Sequence, residues 1–588
     1  MKTRTRLNVV WLLLVGSLLA LVAGCVAAPQ IVEKEVVVQT VVVEKVVVVE
    51  KPVVVIATPA PAPAEEEMSS DQVLRIVWLG GMSDYTGLYH IKTIAHLPCF
   101  ISDIRGGLIP GLCTHYEANE DDTVFRFFID PRAVWADGKP VTAQDFIDWW
   151  EFRFHPDRTS WWAHRVMSPI EGYEAFSEGE VDTVSGLKAL DEKTLEIRLV
   201  RSENWFPYRT VYVFAAPVRM DPFEPILEEL EGLAPAEQRG KMKEVWSDEN
   251  AKNLIANGPY QPTLLADEPT GRFTYELNPN WWGDVKPNIS RIEVTAMRDF
   301  QTMLLMWENH EADLFMNIMG PLNVQLRKTE PEAFRQLYNI AFHGMHLVTD
   351  VPPMDDINLR KALMHAINWE EMNQVAYEGE HPPPNAGSFF PEMMPCYDPD
   401  FKPYPFDVEK AKEYLAKSKY GPTGATVPKI RIAVGTDAPR LRSAQIIVEY
   451  WRVHLGIEDV ELKQQESEFM ELGEQVTARV SSGGSPLPIP AVLFEQVGHS
   501  AGAIAQVAHS GTPEMDAKIE ALLGMRLDDP AYCAETQAIL KDLMDQVLTM
   551  PFNYLTITYQ VKPWLKGPTE RTQSSGLYTI PQMWLARR

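Results

Sequence analysis

From residue 71 onward the chain alternates between two hydrophobic periods. "DQVLRIVWLGG" (71–81) carries apolar side chains in alternation and breaks at a glycine pair, as a strand entering a loop does. "TVFRFFIDPRAVWADGKPVTAQDFIDWWEFRF" predicts a strand, a turn at Asp137 and Gly138, and a helix. The Thr142 hydroxyl caps that helix, Asp145 stands in its first turn, and it runs through Phe146, Trp149 and Trp150. "TLEIRLVR" and "RIEVTAM" alternate as strands. "PPMDDINLRKALMHAINWEEM" predicts a helix capped by Asp355 or Asp356, with Leu359, Ala362, Leu363, Ala366 and Ile367 at helical spacing. "FDVEKAKEYLAKSKYG" repeats the logic between Asp407 and Gly421, and "KIRIAVG" is a strand leading to a helix through Ile446, Trp451 and Leu455. Strands and helices alternate without an internal repeat, which predicts α/β lobes.

The first seventy residues follow neither period. Lys2, Arg4 and Arg6 precede an uncharged apolar stretch over 9–22 and then Ala23 and Gly24, a secretory signal pattern over residues 1–24. A retained membrane anchor is the alternative, since spanning takes about 20 apolar residues. Residues 25–70 form a low-complexity tract of valine runs cut by Glu-Lys pairs, stiffened later by Pro52, Pro59, Pro61 and Pro63, and read as a tether. Val22-Ala23-Gly24-Cys25 resembles the lipobox of bacterial lipoproteins. That resemblance implies removal of the signal, lipidation of Cys25, and a chain held on the outer face of the cell membrane or in the periplasmic space without crossing the bilayer.

Composition narrows the partners. The chain has 54 basic and 81 acidic residues, a net charge of -27, which argues against nucleic acid and anionic phosphate partners. Roughly five hundred residues follow the tether, enough for two or three lobes. Export permits disulfides: Cys99 and Cys113 are close enough to pair, whereas Cys396 and Cys533 read as buried, unpaired thiols. No CxxC pair points to structural zinc, and His343 and His346, three apart on an expected strand, point to opposite faces; no metal and no cofactor is expected.

The ordered landmarks "GLIPGL" (107–112), "WADGKPVTAQDF" (135–146), "NGPY" (257–260), "NPNWWG" (278–283), "EADLF" (311–315), "PPMDDINLRKALMHAIN" (352–368) and "YQVKPWLKG" (559–567) resemble the family 5 extracellular solute-binding proteins, the oligopeptide and dipeptide receptors of ABC importers. The resemblance implies an α/β, two-lobed periplasmic-binding-protein-like fold of type II with an enlarged first lobe, hinge crossings and a central cleft. Lobe I is then 71–341 with an inserted subdomain at about 113–192, lobe II is 342–555, and 556–588 return to lobe I. The crossings fall near 342–349 and 552–558. It also implies a small solute, a peptide or else an oligosaccharide, and partnership with permease subunits driven by a cytoplasmic ATPase.

By family position, Tyr85 in the loop after the first strand and Tyr554 at a crossing are expected to touch ligand. The family's second lobe usually presents an acid to a peptide's amino terminus from a W-x-x-D-Y-x-D-P-like loop. The nearest counterpart here is "IPAVLFEQVGHSAG", which offers Glu495 and His499. Val348 and Asn358 stand where the family usually has Asn and Arg. An exported hydrolase or a surface adhesin are the rival classes; no G-x-S-x-G, H-E-x-x-H or Gly-rich phosphate loop supports the hydrolase, and the chain is not expected to be an enzyme.

Overall fold

The computed structural model describes residues 68–79, 93–102, 107–155, 167–211, 215–229, 233, 254–267, 271–297, 299–316, 320–435, 437–464, 476–485, 487–569 and 578–587. The expected signal, lipobox cysteine Cys25, nearly all of the expected tether and Tyr85 lie outside the described residues.

Local chemistry sets the element starts. Thr142 and Asp145 form a capping box: the Asp145 N–H donates to the Thr142 hydroxyl at 3.3 Å, and the Thr142 N–H donates back to the Asp145 carboxylate at 2.7 Å. The helix Ala143–Phe154 follows, burying both Trp149 and Trp150 to 1% exposure. Asp356 rather than Asp355 caps Ile357–His365, accepting from the Asn358 and Leu359 N–H groups at 2.9 and 3.0 Å. The single helix expected through Glu371 is two. The first stops with Ala366 at its C-cap, and Asn368 accepts from the Glu371 N–H at 3.3 Å to start Trp369–Tyr377. A side chain able to cap competes with helix continuation, and here it wins.

Ten strands form one sheet: β1 (Val73–Leu79), β8 (Tyr260–Asp267), β9 (Arg272–Leu277), β10 (Arg291–Met297), β11 (Leu314–Met316), β12 (Phe334–Leu347), β13 (Ile430–Val434), β14 (Val460–Gln464), β15 (Ala478–Gly484) and β16 (Thr549–Val561). Their order is β14-β13-β15-β12-β16-β11-β1-β10-β9-β8. β2 (Phe100–Ser102) and β3 (Leu108–Pro110) pair antiparallel, and a separate four-stranded sheet, ordered β4-β5-β7-β6, is made of β4 (Cys113–Ala118), β5 (Val124–Ile129), β6 (Leu187–Asp191) and β7 (Thr194–Arg198).

The long strands β12 and β16 join the halves of the large sheet. They pair antiparallel from Phe334/Gln560 to His346/Thr549, with an irregularity between Tyr338/Thr556 and Phe342/Tyr554. On one side of it β16 meets β11 through 559–561; on the other β12 meets β15 through 341–347. β1, β10 and β11 are mutually parallel, and so are β13, β14 and β15. In the β11 register Leu314 faces Val561 and Met316 faces Tyr559, so its carboxyl end runs toward the irregularity. In the β15 register Ala478 faces Leu347 and Gly484 faces Ala341, so its carboxyl end runs toward the same line from the other side.

Cys99 is bonded to Cys113. Cys396 and Cys533 do not behave as expected: they form a second disulfide across 137 residues, with Cys396 half-buried and Cys533 exposed. The bond ties the turn at Met394–Tyr397 to the helix Tyr532–Gln546; a pairing so distant in sequence leaves no local signature. Among the described residues, no helix is long and apolar enough to cross a membrane.

Candidate functional site

In open α/β sheets, ligands bind in the crevice outside the carboxyl ends of parallel strands. Here two sets of parallel strands point their carboxyl ends at one line between the halves of the sheet, the place where that rule puts a ligand crevice. The loop leaving β15 carries Ser485, whose N–H donates to the Ile340 carbonyl at 2.7 Å. Gly483 lets β15 pass under the Phe342 ring, because a Cβ there would come within 2.7 Å of that ring. Phe342 lies 6.1 Å from Phe389, and Phe494 lies 6.4 Å from Phe389 and 5.7 Å from Phe390, all ring centroid to centroid. These rings are at most 1% exposed, so they form a packed wall behind the crevice.

Tyr554 belongs to that wall. Its hydroxyl donates to the Ser388 carbonyl at 2.8 Å, lies 3.1 Å from the Phe390 carbonyl, and accepts from the Asn385 N–H at 3.2 Å. Burial raises the phenol's pKa. Tyr554 also borders a cavity of about 570 Å³, lined among others by Asn385, Tyr397, Lys402 and Phe406.

The segment expected to be a ligand loop is instead a helix, Pro490–Gly498. Glu495 and His499 stand one turn apart and serve different neighbours. His499 Nδ1 accepts from the Ala501 N–H at 3.1 Å, and its Nε2 lies 3.4 Å from Glu520. Glu495 is 12% exposed and has both carboxylate oxygens engaged: Arg201 Nη2 donates to one at 3.0 Å and Arg209 Nη2 to the other at 3.4 Å. Arg209 also holds Glu203 with its Nε and, at 3.3 Å, with its Nη2. Burial raises the Glu203 pKa, and the Arg209 guanidinium opposes that rise. Two arginines and two glutamates thus form one hydrogen-bonded cluster. Arg201, Glu203 and Arg209 were missed in the sequence; their only signal is charge flanking the apolar run "NWFPY".

A second polar group lies along the crossing strands. His381 Nδ1 accepts from the Thr556 N–H at 3.3 Å, and desolvation lowers its pKa to about 4. His346 lies 3.0 Å from the Thr549 hydroxyl, and burial lowers its pKa to about 3. His343 is stacked 6.2 Å from Tyr377, and burial, then Arg440, lowers its pKa too. Among the described residues no group of three or more His, Cys, Asp or Glu side chains gathers as a metal site.

Comparison with known proteins decides what the crevice belongs to. The profile of bacterial extracellular solute-binding proteins, family 5 (middle) matches residues 107–495, more than half of the chain. The chain belongs to family 5 of the bacterial extracellular solute-binding proteins. Family 5 proteins bind solutes and are not enzymes, which removes the hydrolase reading. Among its family 5 relatives, the oligopeptide-binding protein OppA of Bacillus subtilis is 28% identical over 60% of this chain and 63% of its own length, under two thirds of that protein. The periplasmic oligopeptide-binding protein OppA of Escherichia coli is 23% identical over 82% of this chain and 85% of its own. Haemophilus influenzae OppA, solved in complex with RPPGFSPFR, superposes with a TM-score of 0.70 at 16% identity, covering 89% of this chain and all of that one. The architecture is accordingly the α/β, two-lobed type II binding-protein fold.

Proposed function

We propose that the exported chain is the lipid-anchored substrate-binding protein of an ABC importer, capturing peptides by closing two lobes and delivering them to permease subunits driven by a cytoplasmic ATPase. The observation that carries this reading is the pair β12 and β16: two strands, and the crevice they floor, connect two sheet halves whose parallel strands converge on one line. A bend at the irregularity between Tyr338 and Phe342 moves one half against the other with little change inside either. The peptide assignment is supported by relatives named as oligopeptide-binding proteins.

In this reading lobe I is 71–341 with an insert at about 113–192, lobe II is 342–555, and 556–588 return to lobe I. The backbone bridge between Met68 and Ala586 supports placing the end of the tether beside that returning segment. Residues 22–25 supply the lipobox, and Cys25 the anchor on the outer face of the membrane. In this reading Tyr85 touches ligand from the first lobe, Tyr554 frames the second-lobe wall, and His499 stands at the C-terminal end of the helix Pro490–Gly498 that carries Glu495. Contacts made only when the lobes meet shift the population toward the closed form.

Small-angle scattering with a pool of tetrapeptides tests the mechanism. The radius of gyration falls as the pool is added and saturates; an unchanged radius at saturating peptide contradicts capture by closure.

A further inference from the structure

The Arg201–Arg209 stretch follows β7 of the four-stranded sheet, whereas Glu495 stands on the helix that follows β15 of the large one. Nearly three hundred residues separate them, as the ion pairs Arg201–Glu495 at 3.0 Å and Arg209–Glu495 at 3.4 Å show. Two more bonds cross at the same place: Asn204 Nδ2 donates to the Met525 carbonyl at 2.7 Å, and Trp205 Nε1 to the Leu523 carbonyl at 3.0 Å. Arg209 lies 4.6 Å over the Trp205 ring, and Glu203, Trp205 and Arg209 are at most 1% exposed. The inner part of the contact is buried, and both oxygens of the Glu495 carboxylate are engaged by guanidinium groups. The described residues after β15, Ser485 and then 487–489, contribute no other acid.

We propose that Glu495 is the second-lobe half of a latch closed by Arg201 and Arg209, and that it is a positioning residue for lobe closure rather than the acceptor of a ligand ammonium. The inference rests on the closing-receptor reading and adds a substrate consequence. Because the chain's own guanidinium groups occupy the acid, a free amine on the ligand is not what brings the lobes together. The site therefore accepts peptides whose amino terminus is blocked as well as those whose terminus is free. Arg201 is 24% exposed and Glu495 12%, so the outer pair is partly open to solvent and to screening by salt.

The test compares the wild type with Glu495→Gln and with Arg201→Gln, the second keeping the buried Glu203–Arg209 pair as a milder change. Scattering of the proteins without ligand is read first, and needs no assumption about the solute. Both variants show a larger radius of gyration than the wild type, and raising sodium chloride from low to high concentration enlarges the wild type toward them. Calorimetry with a tetrapeptide pool and the same pool N-acetylated is read second. Glu495→Gln weakens both by the same factor, about tenfold or more for loss of a largely desolvated charge partner. A loss confined to the free-amine pool overturns the latch and restores Glu495 as the amine acceptor. Unchanged radii in both variants also overturn it. If neither pool binds the wild type, the peptide reading fails while the radii still decide the latch.

Discussion

His381 Nδ1 lies 2.8 Å from the Thr556 hydroxyl and accepts the Thr556 N–H at 3.3 Å, which ties the segment after Trp369–Tyr377 to the middle of β16. Protonating that nitrogen breaks the backbone bond and puts a charge where solvent is scarce, hence a pKa lowered to about 4. Within the strand pair itself, on β12 opposite Thr549, His346 is lowered to about 3.

Both histidines take up protons more readily once the chain unfolds, where the ordinary value is 6.5. Between that value and their folded values the unfolded state binds more protons, so folding stability is present above about pH 6.5 and is lost as pH falls toward 4. Each histidine contributes a slope of up to about 1.4 kcal/mol per pH unit in that window. Denaturant unfolding at a series of pH values checks this: His381→Gln reduces the slope, and an equal slope in wild type and variant contradicts the assignment.

Tyr554→Phe removes a hydroxyl that satisfies the backbone around Ser388 and Phe390 without changing the ring. Stability falls by about 1–3 kcal/mol, the cost of leaving buried polar groups unpaired. Chemical denaturation measures the change. A loss of peptide affinity at unchanged stability assigns the phenol to the ligand instead.

Replacing Cys396 and Cys533 together by serine opens a loop of 137 residues and costs about 2–5 kcal/mol. The melting temperature of the double variant falls below that of the oxidised wild type, and reductant lowers the wild type toward it. Equal melting temperatures contradict a bond that stabilises the fold.

Cys25→Ala abolishes incorporation of labelled fatty acid and leaves an unlipidated precursor. Equal labelling of wild type and variant rules out the anchor proposed from residues 22–25.

Features decided within a few residues were readable from the chain. Thr142 and Asp407 cap the helices expected of them, and the strand "RIEVTAM" appears as Arg291–Met297 because capping and alternation are local. The break between His365 and Trp369 was hidden by a hydrophobic spacing that continues across Ile367, while the deciding signal was the one polar side chain of Asn368. Distant relationships left no such trace. The Cys396–Cys533 bond, the register of β12 on β16 and the approach of Arg201 to Glu495 follow from tertiary packing. The Glu495 segment is a helix rather than the expected loop: Pro490 is a local start signal for it, and the apolar run behind it packs against neighbouring helices and the ring of Phe389.

Capture of a peptide is the claim on which the rest depends, and native mass spectrometry of the purified protein reads it directly. Incubated with a tripeptide-to-pentapeptide pool and, separately, with a pool of short oligosaccharides, the protein retains one peptide mass per chain and no sugar. Retention of oligosaccharide without peptide contradicts the peptide assignment, and retention of neither contradicts a receptor for these solutes.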